Sequence, residues 1–258
     1  MLKLIIPSIL FFIFLKSATE DFNFSREMAA ALGLIVISSS FLISPKKHRF
    51  LPFIILTIVS TSHLAFLFDS KDGYFKNAYL ILFSFIFLLT LTGISIFFSQ
   101  HHYRQEKEIK TKLPDMGFNL IKSAVLISVF LWTVGTYGLY LNMELPAYLL
   151  MLFILINIIL SAYCLFKINR AFQKKTSLLW FYSFLLGIIM VELTWAISFW
   201  PIGKLTVGAI ILANYYIFYN ILENYLKNSL NKKVIFSNIL FLAIIIISLL
   251  FSSQWEIR

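Results

Sequence analysis

The chain has 258 residues, of which 60% are hydrophobic and 13% charged, with 28 phenylalanines and a mean hydropathy of +0.86. An ordinary soluble domain carries about 25% charged residues, so this composition cannot supply a water-facing globular surface, and water-soluble enzymes and nucleic-acid-binding proteins are excluded. The formal charge of +10, from 22 Lys and Arg against 12 Asp and Glu, then reports orientation in a membrane rather than a polyanionic partner.

Apolar runs fall at residues 2–15, 28–44, 50–68, 74–98, 121–141, 146–166, 178–200, 202–221 and 234–251. Most are long enough to cross about 30 Å of hydrocarbon at 1.5 Å per residue. They lack the alternation of a membrane barrel strand, and a helix satisfies its own backbone in lipid, so the fold class is all-α: a polytopic transmembrane bundle of nine spans. Residues 1–258 form one integral membrane domain with no soluble domain, the longest connection being the charged stretch 99–120.

The first run is the shortest. Its apolar core, residues 4–15 behind Lys3, also fits the central region of a signal peptide. A cut after Ser17 or after Ala18 would place Leu15 or Lys16 three residues before the break, where a small residue is needed. The run is therefore expected to stay as a short or tilted helix, with eight spans as the outcome if it is removed.

Nine spans sort the basic residues. With the N-terminus inside, 16 of the 22 Lys and Arg fall on the cytoplasmic side, among them Lys46, Lys47, Arg49, Arg104, Lys110, Arg170, Lys174, Lys232 and Lys233. Six fall outside: Lys16, Arg26, Lys71, Lys76, Lys204 and Arg258. The N-terminus is thus expected in the cytoplasm and the C-terminus outside. Trp200-Pro201-Ile202-Gly203-Lys204 leaves room only for a tight hairpin between spans seven and eight. Trp200, Trp255, Tyr74 and Tyr140 sit where interfacial aromatic rings anchor helices.

Within the spans, polar residues are few. Glu192 lies about eight residues, or about 12 Å, from the outer end of span seven. An ionised carboxylate at that depth costs at least about 2.5 kcal/mol, so it is expected to face the bundle interior or a wet cavity and to have a partner. Trp195 lies one turn toward the outside on the same helical face. His63, in span three, falls at a similar depth beside Ser60, Thr61 and Ser62; it reads either as a proton-sharing partner of Glu192 or as a histidine bonded to a neighbouring hydroxyl. Asn157 and Asn214 read as amide ties between helices, and Ala29 to Gly33 gives a small-residue spacing for close helix approach.

Other candidates lie outside the spans or are inert. Glu20 and Asp21, directly after span one, resemble in position the acidic residues that multi-span polyprenyl-linked glycosyltransferases carry in their first external loop. His101, His102 and Tyr103 read as an interfacial cluster, since adjacent histidines do not share a helix face. The lone Cys164 rules out an intrachain disulfide or a Cys-x-x-Cys pair. There is no phosphate loop, no G-x-S-x-G turn and no H-E-x-x-H motif, so no cofactor and no metal is expected.

The run Glu192, Leu193, Thr194, Trp195, Ala196, Ile197, Ser198, Phe199, Trp200, Pro201, a tyrosine-rich span, and a last span opened by Lys232 and Lys233 carry one further signal. Over about residues 180–251 this pattern resembles the C-terminal part of an uncharacterised family of multi-span membrane proteins from small-genome bacteria. The resemblance implies a bacterial cytoplasmic-membrane protein and assigns no activity. The leading reading is a non-catalytic component of the cell envelope that binds lipid or another membrane protein, with the bilayer as first partner and no nucleic acid. Two alternatives stand beside it: a proton-linked transporter or lipid-carrier protein using Glu192, and a small enzyme acting on a lipid-linked substrate at the outer face through Glu20 and Asp21.

Overall fold

The computed structural model describes residues 2–20, 26–43, 50–69, 76–107, 116–143, 146–169 and 176–252. Among the described residues the chain forms nine α-helices: α1 Leu2–Glu20, α2 Arg26–Ile43, α3 Phe50–Asp69, α4 Lys76–Lys107, α5 Met116–Met143, α6 Ala147–Ile168, α7 Thr176–Ser198, α8 Lys204–Leu226 and α9 Lys232–Ser252. Six of them, α3 to α8, are long and apolar enough to cross a membrane. Shorter apolar stretches occupy Leu4–Ser17 and Ala31–Ile43. Length and apolarity together mark a helical membrane protein.

The helices outrun the apolar runs. α4 continues through Gln105, Glu106 and Lys107, and α5 begins at Met116, so the expected connection 99–120 is largely helical. Hydropathy marks where hydrocarbon ends, whereas Gln, Glu and Lys remain good helix formers beyond it.

The chain divides into two compact units, Met1–Ser128 and Val129–Arg258, with α5 contributing to each. In the first unit the fully buried side chains include Phe11, Leu15, Ile55, Leu56, Phe83, Phe87 and Leu91. Phe11 stacks on Phe87 with ring centroids 4.2 Å apart. α4 and α5 meet glycine to glycine: a Cβ on Gly117 would lie 2.6 Å from the Phe97 backbone nitrogen and 2.9 Å from the Gly93 carbonyl oxygen. Gly33 has nothing within 4 Å of such a Cβ, so the small-residue spacing expected at Ala29–Gly33 makes no close approach at Gly33.

In the second unit α7 packs on α6 at Gly187, whose added Cβ would lie 2.7 Å from Ile159 Cγ1. α8 reaches α5 at Gly208, where an added Cβ would run into Val134 Cγ2. Trp132 Nε1 donates to the Phe153 carbonyl at 3.0 Å, joining α5 to α6. The expected α7–α8 hairpin is present: the Trp200 amide donates to Ile197 O, the Ile202 amide to Trp200 O, and Gly203 opens α8, with Ile202 buried beneath the turn.

α8 runs past residue 221 to a defined stop. Asn228 adopts φ 55°, and the amides of Asn228 and Ser229 donate to Tyr225 O and Asn224 O. This pair of bonds around a left-handed residue is a Schellman cap, and asparagine tolerates that conformation better than most side chains.

Hydroxyls inside the helices mostly return to their own backbone. Thr57, Ser62, Thr90, Ser128, Thr133, Ser183 and Thr194 each donate to the carbonyl four residues back.

Candidate functional site

Three places in the helices carry polar chemistry. The first is α7. Its buried stripe is Leu179, Ser183, Leu186, Met190, Thr194 and Ile197, at spacings of three and four residues that form one helical face. Glu192 falls on the opposite side and is exposed. Beside it Trp195 and Phe199 are 57% and 69% exposed, with their rings edge to face at 5.2 Å. Of the two expected placements, bundle interior or wet cavity, the first does not hold: Glu192 faces away from the buried stripe of its helix. The face of α7 that packs is set by the Gly187 approach to α6, and the sequence of α7 is apolar on both sides, so it carried no mark of which side would be covered.

The second is His63 on α3, in the first unit. Its side chain is fully buried, and its Nδ1–H donates to the Val59 carbonyl at 2.5 Å. The Phe83 ring lies 4.4 Å away and Phe11 6.2 Å away, both tilted edge-on. The histidine is therefore held by its own helix and by aromatic packing, not by the neighbouring hydroxyls. Thr61 and Ser62 donate to backbone carbonyls of α3, whereas Ser60 Oγ and His63 Nε2, both buried, have no hydrogen-bond partner among the described residues. Glu192 belongs to the second compact unit.

A desolvated hydroxyl without a bond contributes nothing favourable. Ser60→Ala is expected to leave the unfolding midpoint in detergent unchanged or raise it, while Ser62→Ala, which breaks the bond to Ile58, is expected to cost about 1 kcal/mol. A clear loss in Ser60→Ala would show that its hydroxyl is bonded.

The third place was not singled out from the sequence. At the end of α8, Glu223 is buried at 7% exposure. Its Oε1 accepts from Asn169 Nδ2, at the C-cap of α6, at 2.8 Å and from Lys227 Nζ at 2.5 Å. One turn back, Tyr219 stacks on Phe166 with centroids 4.9 Å apart. On α6, Lys167 Nζ donates to Tyr163 OH at 2.9 Å, and Tyr163 stacks on Trp180 of α7 at 4.1 Å. The carboxylate between an amide and an ammonium is a fixed acceptor, and the cluster latches α6 to α8. The i, i+4 spacing of Glu223 and Lys227 was the available signal.

The remaining candidates disperse. Asn157 accepts from Ser161 Oγ at 3.4 Å and Asn214 donates to Ile210 O, both within their own helices. An amide-to-amide tie does join α8 to α9, Asn220 Nδ2 donating to Asn238 Oδ1 at 3.1 Å. Asn214 is followed by Tyr215, fully buried, with no hydrogen-bond partner for its hydroxyl among the described residues. Cys164 is buried and free. Asp21, Tyr74 and Trp255 lie outside the described residues, as do the side chains of Glu20, His101, His102 and Tyr103. Among the described residues no group of three or more His, Cys, Asp or Glu converges on a point that could hold a metal ion.

No curated protein and no solved structure matches this chain. A family model does, over residues 28–252, which takes in α2 to α9 and reaches far beyond the last third that carried the resemblance in sequence. The chain belongs to the family described as Protein of unknown function (DUF5656).

Proposed function

We propose that this is a non-catalytic, multi-pass protein of the bacterial cytoplasmic membrane that assembles with a membrane-embedded partner through the outward face of α7. The observation that carries the reading is the exposure of Glu192 beside Trp195 and Phe199. Glu192 lies six residues, about 9 Å, inside the Ser198 end of its span. A carboxyl left against lipid chains there is costly, and cover by another protein with a matching polar group removes that cost. A transporter built on Glu192 would want it in a cavity of its own chain, and the outward placement favours docking instead.

In this reading the whole chain is one membrane domain, crossing nine times with the N-terminus in the cytoplasm and the C-terminus outside. The division of basic residues, 16 against 6, supports it. Lys167, Lys227, Lys232 and Lys233 then lie at the cytoplasmic surface, where anionic headgroups meet them.

Cysteine cross-linking in native membranes tests the docking face. Trp195→Cys and Phe199→Cys are expected to give a discrete higher-mass product, and Phe241→Cys, on the exposed surface of α9, is expected to give none. Equal products from all three positions, or none from the α7 pair, would remove the reading.

A further inference from the structure

We infer that α6 and α8 enclose a short file of bound water, seated on the Tyr215 hydroxyl beside Ser161 and Asn157 and entered from the Glu223 end of the two helices. The file lies in the interior of the second unit and is independent of what covers α7.

The register of the two helices places its walls. Phe166 stacks on Tyr219 and Asn169 donates to Glu223, so residues of α6 stand level with residues about 54 places later on α8. Both pairings advance in the same direction, and the helices therefore run parallel here. The same offset sets Ser161 level with Asn214 and Tyr215, and Ile154 level with Val207 and Gly208.

Polar groups line both sides of that stretch. On α6, Asn157, Ser161 and Cys164 recur at helical spacing and are buried, and on α8 Tyr215, Tyr219 and Glu223 do the same. Tyr219 lies within the electrostatic reach of Glu223 and of Tyr215, and Tyr215 within that of Cys164. The two stripes form one polar track, which spans about 18 Å from the level of Asn157 to that of Asn169.

The Tyr215 hydroxyl is what calls for a ligand. Its side chain is fully buried, and the hydroxyl has no hydrogen-bond partner among the described residues. A dry hydroxyl there would bear the cost of desolvation with no bond in return. A buried water needs about two to four polar partners. The Ser161 oxygen, the Asn157 amide and the Cys164 thiol can supply them, and Ser161, Ala162 and Cys164 are small, which keeps α6 narrow at this level.

The track has a mouth and a closed end. Glu223 is held by Lys227, whose side chain is 38% exposed, so a single side chain separates the carboxylate from the surface. Beyond Asn157 the interior turns apolar: Leu150 and Ile154 on α6 and Val207 on α8 are buried, and Gly208 packs on Val134 and Phe130 of α5. The file thus admits water, protons and small cations to the middle of α6 without passing them through the bundle.

Cys164, the lone thiol of the chain, reports on the file directly. The full chain in detergent is exposed to silver ion in chloride-free buffer, and the thiol left free is counted by maleimide labelling after unfolding. Cys164 is expected to react in the folded protein, as is Ser161→Cys carried together with Cys164→Ser. Ile154→Cys in the same Cys164→Ser background, at the closed end, is expected to stay protected. Tyr215→Phe removes the seat of the water. It is expected to slow the reaction of Cys164 about fivefold, the factor that one lost hydrogen bond makes in an occupancy, and to lower the thermal midpoint.

Protection of Cys164 or of Ser161→Cys until the protein unfolds overturns the inference. So does equal reactivity of Ile154→Cys, which would mark general breathing of the bundle. An unslowed reaction in Tyr215→Phe, or a midpoint unchanged or raised, overturns it as well, since removing a dry hydroxyl costs nothing. If Tyr215→Phe does not fold, the contrast between Cys164 and Ile154→Cys decides alone.

Discussion

Gly117→Ala is expected to lower stability by about 2–3 kcal/mol, read as a clear drop in the thermal midpoint of the protein in detergent. The added methyl would sit 2.6 Å from the Phe97 amide nitrogen and 2.9 Å from the Gly93 carbonyl oxygen. Both atoms belong to the backbone of α4, so no side chain can swing aside and the two helices must move apart. Gly93→Ala meets the Leu120 Cβ at 2.9 Å from the other side and is expected to behave similarly. Gly33→Ala is the control. Its new methyl meets nothing within 4 Å, and the better helix propensity of alanine is expected to leave stability equal or slightly higher. An unchanged midpoint for Gly117→Ala would mean that α4 and α5 do not cross this closely.

The second large effect is expected at Glu223. Glu223→Leu removes the acceptor shared by Asn169 and Lys227. Bonds to a charged group contribute about 1.5–3 kcal/mol each when buried, but the lysine side chain is 38% exposed and regains water, so a loss of about 2 kcal/mol is expected. Glu223→Gln keeps an acceptor for Asn169 and gives up the charge, and its loss is expected to be about half as large. Lys227→Ala, which removes only the half-exposed member of the pair, is expected to cost less than about 1 kcal/mol. The order Leu, Gln, then the lysine variant is the diagnostic. Equal losses for Glu223→Leu and Lys227→Ala would show that the ion pair, not the bond to α6, holds the latch.

Composition and span length made the all-helical class legible, since a chain with 13% charged residues has few other ways to fold. The ends were legible only where chemistry stops the helix, as at Pro201, and not where apolar residues give way to helix-forming polar ones, as in Gln105 to Lys107. Which way Glu192 points could not be read, because a helix apolar on both faces gives its neighbours no instruction in sequence. The helix crossings were hidden for a related reason. The sequence shows small residues spaced along one helix, such as Ala29 and Gly33, whereas the close approach joins Gly93 to Gly117 across two. Glu223 carries no mark in sequence beyond its i, i+4 spacing from Lys227, and its role depends on Asn169, which lies 54 residues away.

The hydroxyls that return to their own helices have a consequence for how the protein is made. Thr57, Thr90, Thr133, Ser183 and Thr194 already donate hydrogen bonds to carbonyls one turn back in their own helices. Each of these segments can therefore leave the ribosome and partition sideways into the bilayer without waiting for a neighbour to cover it. The bonds that do cross between helices, such as Trp132 to the Phe153 carbonyl, Asn169 to Glu223 and Asn220 to Asn238, join segments made one after another or two helices apart. Insertion and association are thereby separated in time, and α8 makes one of these ties to α6, already in place behind it, and the other only once α9 has followed.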